Sequence, residues 1–248
     1  MAHGSKVAVI TGSALNIGRA IAVALAGDGY GILVTAKTSR ADCEDTARLV
    51  REQGSEAAVH LADISDPAAA RGVVEAAVRR FGRLDVLVNN ASVRRQTKLA
   101  DITPEEWRMI LGSTLDGAFW CAQAAAPHIA AVGGGSIVNL GGISAYAAPA
   151  GRMHVIVAKA GMAGLTKGLA RELAAENITV NTVAPGAIDT ERGAAAGGTA
   201  GAASLPANLA GRRGTVDEIA QMVRYLCSPA ARFITGQTIH LNGGAFMG

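Results

Sequence analysis

The chain has 248 residues, a formal charge of +3 and 31 glycines against seven prolines, which suits one folded unit and excludes a collagen or low-complexity chain. Half the residues are apolar but only 4% are aromatic, so the expected core is Ala, Val, Ile and Leu, large enough to need no staples. Cys43, Cys121 and Cys227 are widely spaced with no C-x-x-C pair, which argues for idle thiols and against a disulfide framework or a metal site. No basic tract points to nucleic acid. No apolar run reaches the roughly 18–20 residues of a membrane span, and Met1 to Lys6 lacks the apolar stretch of a signal peptide, so a cytoplasmic protein with no membrane partner is expected.

Strands are predicted at Val7–Ile10, Ile32–Thr35, Ala57–Leu61, Val86–Val88, Ser136–Leu140, Thr179–Val183 and Thr238–Leu241, with Ala-rich helical patterns in most gaps. The runs VAVI, DVLV and SIVNL are apolar on both faces, as strands covered by helices on each side require. The alternation predicts an α/β fold: a doubly wound, Rossmann-type parallel sheet with helices on both faces, its ligand at the carboxyl ends of the strands. Residues 1–248 are read as a single dinucleotide-binding domain. The Gly/Ala-rich stretch Gly193–Ser204 follows the sixth strand, and a mobile substrate lid is expected near 189–213, with a plain surface loop as the alternative.

Thr11-Gly12-Ser13-Ala14-Leu15-Asn16-Ile17-Gly18 sits between the first strand and the helix that opens near Arg19. Gly12 permits a sharp turn, Gly18 permits close approach of helix and strand, and the helix N-terminus presents N–H groups to a pyrophosphate. The segment resembles the T-G-x-x-x-G-x-G turn of the short-chain dehydrogenase/reductases, with Asn16 at the middle glycine, a residue that tolerates positive φ. Asn89-Asn90-Ala91-Ser92 is similar to that family's N-N-A-G, and Pro185-Gly186-Ala187-Ile188-Asp189-Thr190 to its P-G-x-I-x-T. Arg213-Gly214, Thr235-Gly236-Gln237 and Asn242-Gly243-Gly244 resemble its C-terminal pattern, so the likeness spans essentially the whole chain.

About 20 residues past the glycines, a carboxylate would hold the 2′-hydroxyl of NAD and a cation the 2′-phosphate of NADP. Lys37, Thr38, Ser39 and Arg40 supply two cations and no carboxylate, so NADP(H) is favoured over NAD(H). The resemblance places Asp63 and Ile64 beside the adenine and Asn89, with Ala91, on the ribose side. It places Ile188 and Thr190 at the carboxamide, after Pro185 and Gly186.

The family resemblance also implies a tyrosine acid/base, a lysine four residues later, a serine about thirteen residues earlier and a supporting asparagine. The lysine would bind the nicotinamide ribose and lower the tyrosine pKa from its ordinary value of about 10. Lys159 is present, but Val155, Gly142 and Thr114 occupy the other three positions. Tyr146 and Ser144, expected on a loop, are the candidate replacements for the proton-transfer groups, and Thr114 could hold a water. His154 lies about 100° of helical rotation away from the Val155/Lys159 face and is read as a surface or interface residue. Arg152, three residues before Val155, and Arg94, which Arg95 follows, are candidate contacts for an anionic substrate.

The leading expectation is an NADP-dependent oxidoreductase acting on a small carbonyl or alcohol with a non-standard proton donor. The alternatives are a catalytically silent dinucleotide-binding sensor or hetero-oligomer subunit, and a redox-neutral enzyme on the same scaffold. The resemblance further implies a homotetramer.

Overall fold

The structure, a computed structural model, describes residues 5–190 and 208–248. Its elements run in chain order β1 (Val7–Ile10), α1 (Asn16–Ala26), β2 (Gly31–Ala36), α2 (Arg40–Glu52), β3 (Ala57–Leu61), α3 (Pro67–Phe81), β4 (Val86–Asn89), α4 (Pro104–Leu111) and α5 (Gly117–Ala131). They continue as β5 (Gly135–Leu140), α6 (Ser144–Ala147), α7 (Met153–Glu172), β6 (Ile178–Pro185), α8 (Val216–Leu226) and β7 (Thr238–Leu241). All seven strands are parallel, in the order β3-β2-β1-β4-β5-β6-β7. The seven expected strands are therefore all present. The largest difference is β6, which extends to Pro185; proline is tolerated there because the ladder ends and no further N–H is needed.

Both faces of the sheet are covered, which explains why its central strands are apolar throughout. Ile10, Ile32, Val34 and Val88 pack with Ile21, Leu25, Val50 and Ile219 on the side of α1, α2 and α8. Val9, Leu33, Leu87 and Ile137 pack with Val73, Val74, Cys121 and Ile129 on the side of α3 and α5. Local signals fix the helix ends. Asp66 caps α3 by accepting from the Ala69 N–H, with Pro67 behind it, and Gly82 ends that helix at φ +78°. Thr215 and Glu218 form a reciprocal capping box on α8.

The order of strand addition reverses between β1 and β4, so the loops at their carboxyl ends run to opposite faces of the sheet, where a doubly wound fold has its crevice. All three cysteines are buried and unbridged, and burial pushes their thiols up, to about 11 for Cys43 and about 12 for Cys121 and Cys227. Thiols so raised are poor nucleophiles. Among the described residues no helix is long and apolar enough to cross a membrane. Most of the expected lid, residues 191–207, lies outside the described residues.

Candidate dinucleotide and catalytic site

The turn after β1 is held open by its backbone. Gly12 has φ +63° and Asn16 φ +54°, the left-handed region that glycine adopts freely and asparagine tolerates. A Cβ on Gly18 would lie 2.4 Å from the Gly12 carbonyl oxygen and 2.6 Å from Asn90 Nδ2, so helix and turn touch backbone to backbone. Leu15 precedes α1 without a side-chain cap, leaving the helix entrance to an external acceptor. The turn is also tied to its neighbours. Thr11 Oγ1 accepts from the Asn90 and Ala91 N–H groups at 3.0 Å each, and Asn90 Nδ2 donates to the Thr11 and Gly12 carbonyls at 3.0 and 2.8 Å. Ser13 accepts from the Thr35 N–H at 3.0 Å and joins the turn to the end of β2.

Two of the residues expected near the adenosine turn their side chains inward. The Asn89 side chain turns into the core, donating to Asn139 Oδ1 at 2.9 Å and the Ala118 carbonyl at 3.3 Å, so it is Asn90 that clamps the turn. The cause is strand alternation: Asn89 shares the face of Leu87, which packs under α5. The Ile64 side chain likewise belongs to the core, packing where a Cβ on Gly117 would meet it at 2.8 Å.

At the adenosine end Lys37 reaches Asp63 at 2.6 Å, and Arg40 lies 3.7 Å from Glu44. Desolvation opposes the Asp63 carboxylate, but hydrogen bonds from Lys37 and Ser65 outweigh it and hold the group below its ordinary range. Thr38 and Ser39 complete the segment between β2 and α2, with the Arg40 N–H donating to the Thr38 carbonyl at 2.9 Å. Across the crevice, Gly186 packs so tightly that a Cβ would sit 2.7 Å from Asn242 Cα, while Pro185 accepts from the Ile143 N–H at 2.9 Å. Ile188 is buried and bridges to Gly214; Thr190 stands half-buried beyond it.

At the centre, Lys159 is buried and its Nζ donates to the Leu140 carbonyl at 2.7 Å. Burial, reinforced by the charge of Arg94, pulls its ammonium down to about 7. One turn earlier Val155 is 2% exposed and packs with Ile110 and Ala158, with Val93 closing over them. Gly142 lies in open space: an added Cβ would have one neighbour within 4 Å, Ser144 Oγ at 3.6 Å. Thr114 stands on a π-helical turn, Gly112–Asp116, between α4 and α5, and donates to Ser92 Oγ at 3.2 Å.

The expected loop carrying Ser144 and Tyr146 is the short helix α6, and the Tyr146 ring is engaged elsewhere. It meets His240 edge-on at 4.5 Å and Phe246 at 4.9 Å, and none of the described contacts joins its hydroxyl to Lys159. His154 is fully buried, contrary to the expectation of a surface or interface residue. Its Nδ1 accepts from the Val155 N–H at 3.0 Å, which leaves the ring proton on Nε2, 2.7 Å from Glu106 Oε1. Arg94 is exposed beside this loop and Arg152 is half-buried at the start of α7.

Hydrogen bonds from Thr97 and then His154 hold Glu106 below the usual carboxylate range. A group so depressed contributes stability that is complete above its unfolded pKa, about 4.3, and is lost as pH falls through the folded value. Glu106→Gln should therefore unfold at a lower temperature than the parent at pH 7, with the gap narrowing as the pH drops below about 4. A gap that stays constant from pH 7 to 3 in thermal melts would contradict this assignment.

A family profile described as enoyl-(acyl carrier protein) reductase matches residues 12–245. The 3-oxoacyl-[acyl-carrier-protein] reductase FabG of Staphylococcus aureus is 36% identical over 243 residues, covering 98% of this chain and 99% of that protein. The chain belongs to the short-chain dehydrogenase/reductase family. A Burkholderia cenocepacia short-chain dehydrogenase solved in complex with NADP superposes with a TM-score of 0.88 at 33% identity, covering 97% of each chain. Acetoin dehydrogenase from Enterobacter cloacae is similar at 38% identity with a TM-score of 0.86, over 97% of this chain and 96% of that one.

The glycine turn of this chain fits a dinucleotide: Gly12 and Gly18 let the turn, the start of α1 and the loop after β4 pack backbone to backbone, and Leu15 puts no side-chain cap on the first turn of α1. Around Lys159 the expected phenol position is an apolar plug. Asn90, Ser92 and Glu106 join the site although no motif assigns them a role. Ser92 was visible as the departure in Asn89-Asn90-Ala91-Ser92; Glu106 carried no local signal, because its partner His154 lies 48 positions away.

Proposed function

We propose that this short-chain dehydrogenase/reductase is an oxidoreductase that binds NADP(H) in preference to NAD(H) and interconverts a small carbonyl and its alcohol without the usual tyrosine. The observation that carries the reading is the close-packed glycine turn after β1 together with a retained, buried Lys159 at the end of β5. A bound reduced nicotinamide would supply two electrons and one hydrogen to the carbonyl carbon. Gly12, Asn16, Ile17 and Gly18 would receive the pyrophosphate; Lys37, Thr38, Ser39 and Arg40 the 2′-phosphate. Asp63 and Ala91 border the adenosine side, and Pro185, Gly186, Ile188 and Thr190 the nicotinamide side. Ser144 Oγ, bordering the space over Gly142, would orient the substrate oxygen, and the Thr114–Ser92 hydroxyl pair would hold a water beside it. Arg94 and Arg152 favour a substrate carrying a carboxylate or phosphate. A homotetramer working in the cytoplasm completes this reading.

Fluorescence titration with NADPH and NADH, followed by a screen of carbonyl compounds against NADPH consumption, tests it. Charge-assisted contacts to a phosphate contribute about 1.5–3 kcal/mol, so Lys37→Ala/Arg40→Ala should weaken NADPH binding by about 10- to 100-fold and leave NADH nearly unchanged. Equal losses for both dinucleotides would overturn the NADP assignment. The second reading, a silent dinucleotide-binding protein, is favoured by the Val93–Val155–Ile110 plug, and it predicts tight NADPH binding with no consumption in the screen.

A further inference from the structure

Building on the oxidoreductase reading, we propose that Lys159 itself gives the reaction proton to the substrate oxygen, which the Ser144 hydroxyl orients over Gly142. The position of Nζ carries this. Lys159 Nζ is fixed to the carbonyl of Leu140 at 2.7 Å, two residues before Gly142, whose missing side chain leaves an open space bordered by Ser144 Oγ. Leu140 ends β5 and Gly142 lies in the loop that follows, so the held ammonium and the space bordered by the Ser144 hydroxyl lie at the same strand end. An ammonium has three N–H bonds, and the Leu140 carbonyl engages one.

The other groups around α7 are poorly placed to compete. β5 and β6, which flank it, carry no titratable side chain. On α6, Tyr146 is stacked on His240 and Phe246. His154 spends its Nε2 proton on Glu106 of α4 and its Nδ1 lone pair on the Val155 N–H. Asp116 on the π-helical turn is exposed. Arg94 keeps its proton at any working pH, and its charge makes the Lys159 ammonium a readier donor. Thr114 and Ser92 are hydroxyls with no proton to lose near neutrality.

The step balances as follows. As the carbonyl carbon is reduced, the C=O π pair moves onto oxygen. An Nζ–H bond of Lys159 breaks, leaving its electron pair on nitrogen, and an O–H bond forms. The neutral amine then recovers a proton from water. Oxidation of an alcohol runs the same path backwards, with the neutral amine as base.

The test begins without turnover. Lys159 is labelled with a small amine-reactive reagent across pH 5–11, in the free protein and with NADP+ bound, and its modification is followed by mass spectrometry. Titration near neutrality in both states, with NADP+ slowing the labelling, is expected. A Lys159 that stays charged above pH 9 with NADP+ bound would overturn the proposal.

The second measurement is the pH profile of carbonyl reduction under saturating NADPH. The rate should fall about tenfold per pH unit above the Lys159 midpoint. Lys159→Arg, which keeps the cation but cannot release its proton, should lose at least about 100-fold in turnover while still binding NADPH. Small amines should partly rescue Lys159→Ala, with a dependence on amine pKa that a purely ribose-binding lysine would not give. A flat profile, or turnover that vanishes in Tyr146→Phe, points to another donor and defeats the proposal. Failure to bind NADPH, or binding with no carbonyl consumed, defeats the oxidoreductase reading, and the proposal falls with it.

Discussion

Restoring Gly142→Ser and Val155→Tyr together should raise carbonyl reduction by about 10²- to 10⁴-fold, the range a positioned general acid contributes. The two substitutions meet different surroundings. A side chain at Gly142 enters open space with only Ser144 Oγ at 3.6 Å, so the serine should be accepted without loss of stability. At Val155 a tyrosine must displace the contacts with Ile110, Ala158 and Val93, and overpacking of this kind costs roughly 1–3 kcal/mol. Ile110 is fully buried, whereas Val93 sits half-buried on the loop after β4, so the loop is the side that should yield. We expect Gly142→Ser alone to leave the melting temperature unchanged, Val155→Tyr to lower it, and the pair to reduce a test ketone with NADPH far faster than the parent. A double variant that binds NADPH yet gains nothing would mean that the plug, rather than the missing phenol, limits the site.

Gly18→Ala should damage both stability and nucleotide binding through a single added methyl. Its Cβ would lie 2.4 Å from the Gly12 oxygen and 2.6 Å from Asn90 Nδ2, against backbone and a clamped amide, so the turn must open. Opening it breaks the Asn90 hydrogen bonds to the Thr11 and Gly12 carbonyls and moves the entrance of α1. A loss of roughly 1–3 kcal/mol in urea unfolding is expected, together with at least about tenfold weaker NADPH binding. Gly164→Ala in α7 is the control. Nothing lies within 4 Å of its added Cβ, and the helix should gain up to about 1 kcal/mol from the better helix former. Equal effects of the two substitutions would refute the close-approach argument for Gly18.

The fold and the place of the glycine turn are legible because their signals are local. Apolar β-branched runs marked each of the seven strands, and the position of the glycine turn between β1 and α1 followed from spacing alone. The inward turn of the Asn89 side chain is also legible: it is two residues from Leu87, and the alternation of a strand puts both on the core face. The neighbourhood of Lys159 was hidden. Tyr146 is held by Phe246, a hundred positions later in the chain, and His154 by Glu106 on another helix. Neither partner shows any periodicity or motif that would link it to the site. The π-helical turn that carries Thr114 is equally silent, since GSTLD reads as ordinary helix.

The Asn90 clamp has a consequence for how the protein is made. The glycine turn emerges from the ribosome early, but the amide that braces it belongs to the residue after β4, 78 positions further on. A nascent chain that stops before Asn90 therefore displays the whole glycine motif without its brace, and such long-range closure is slow to form. Competence for nucleotide would arrive as one of the later events of maturation, after β4 has inserted between β1 and the strands still to come.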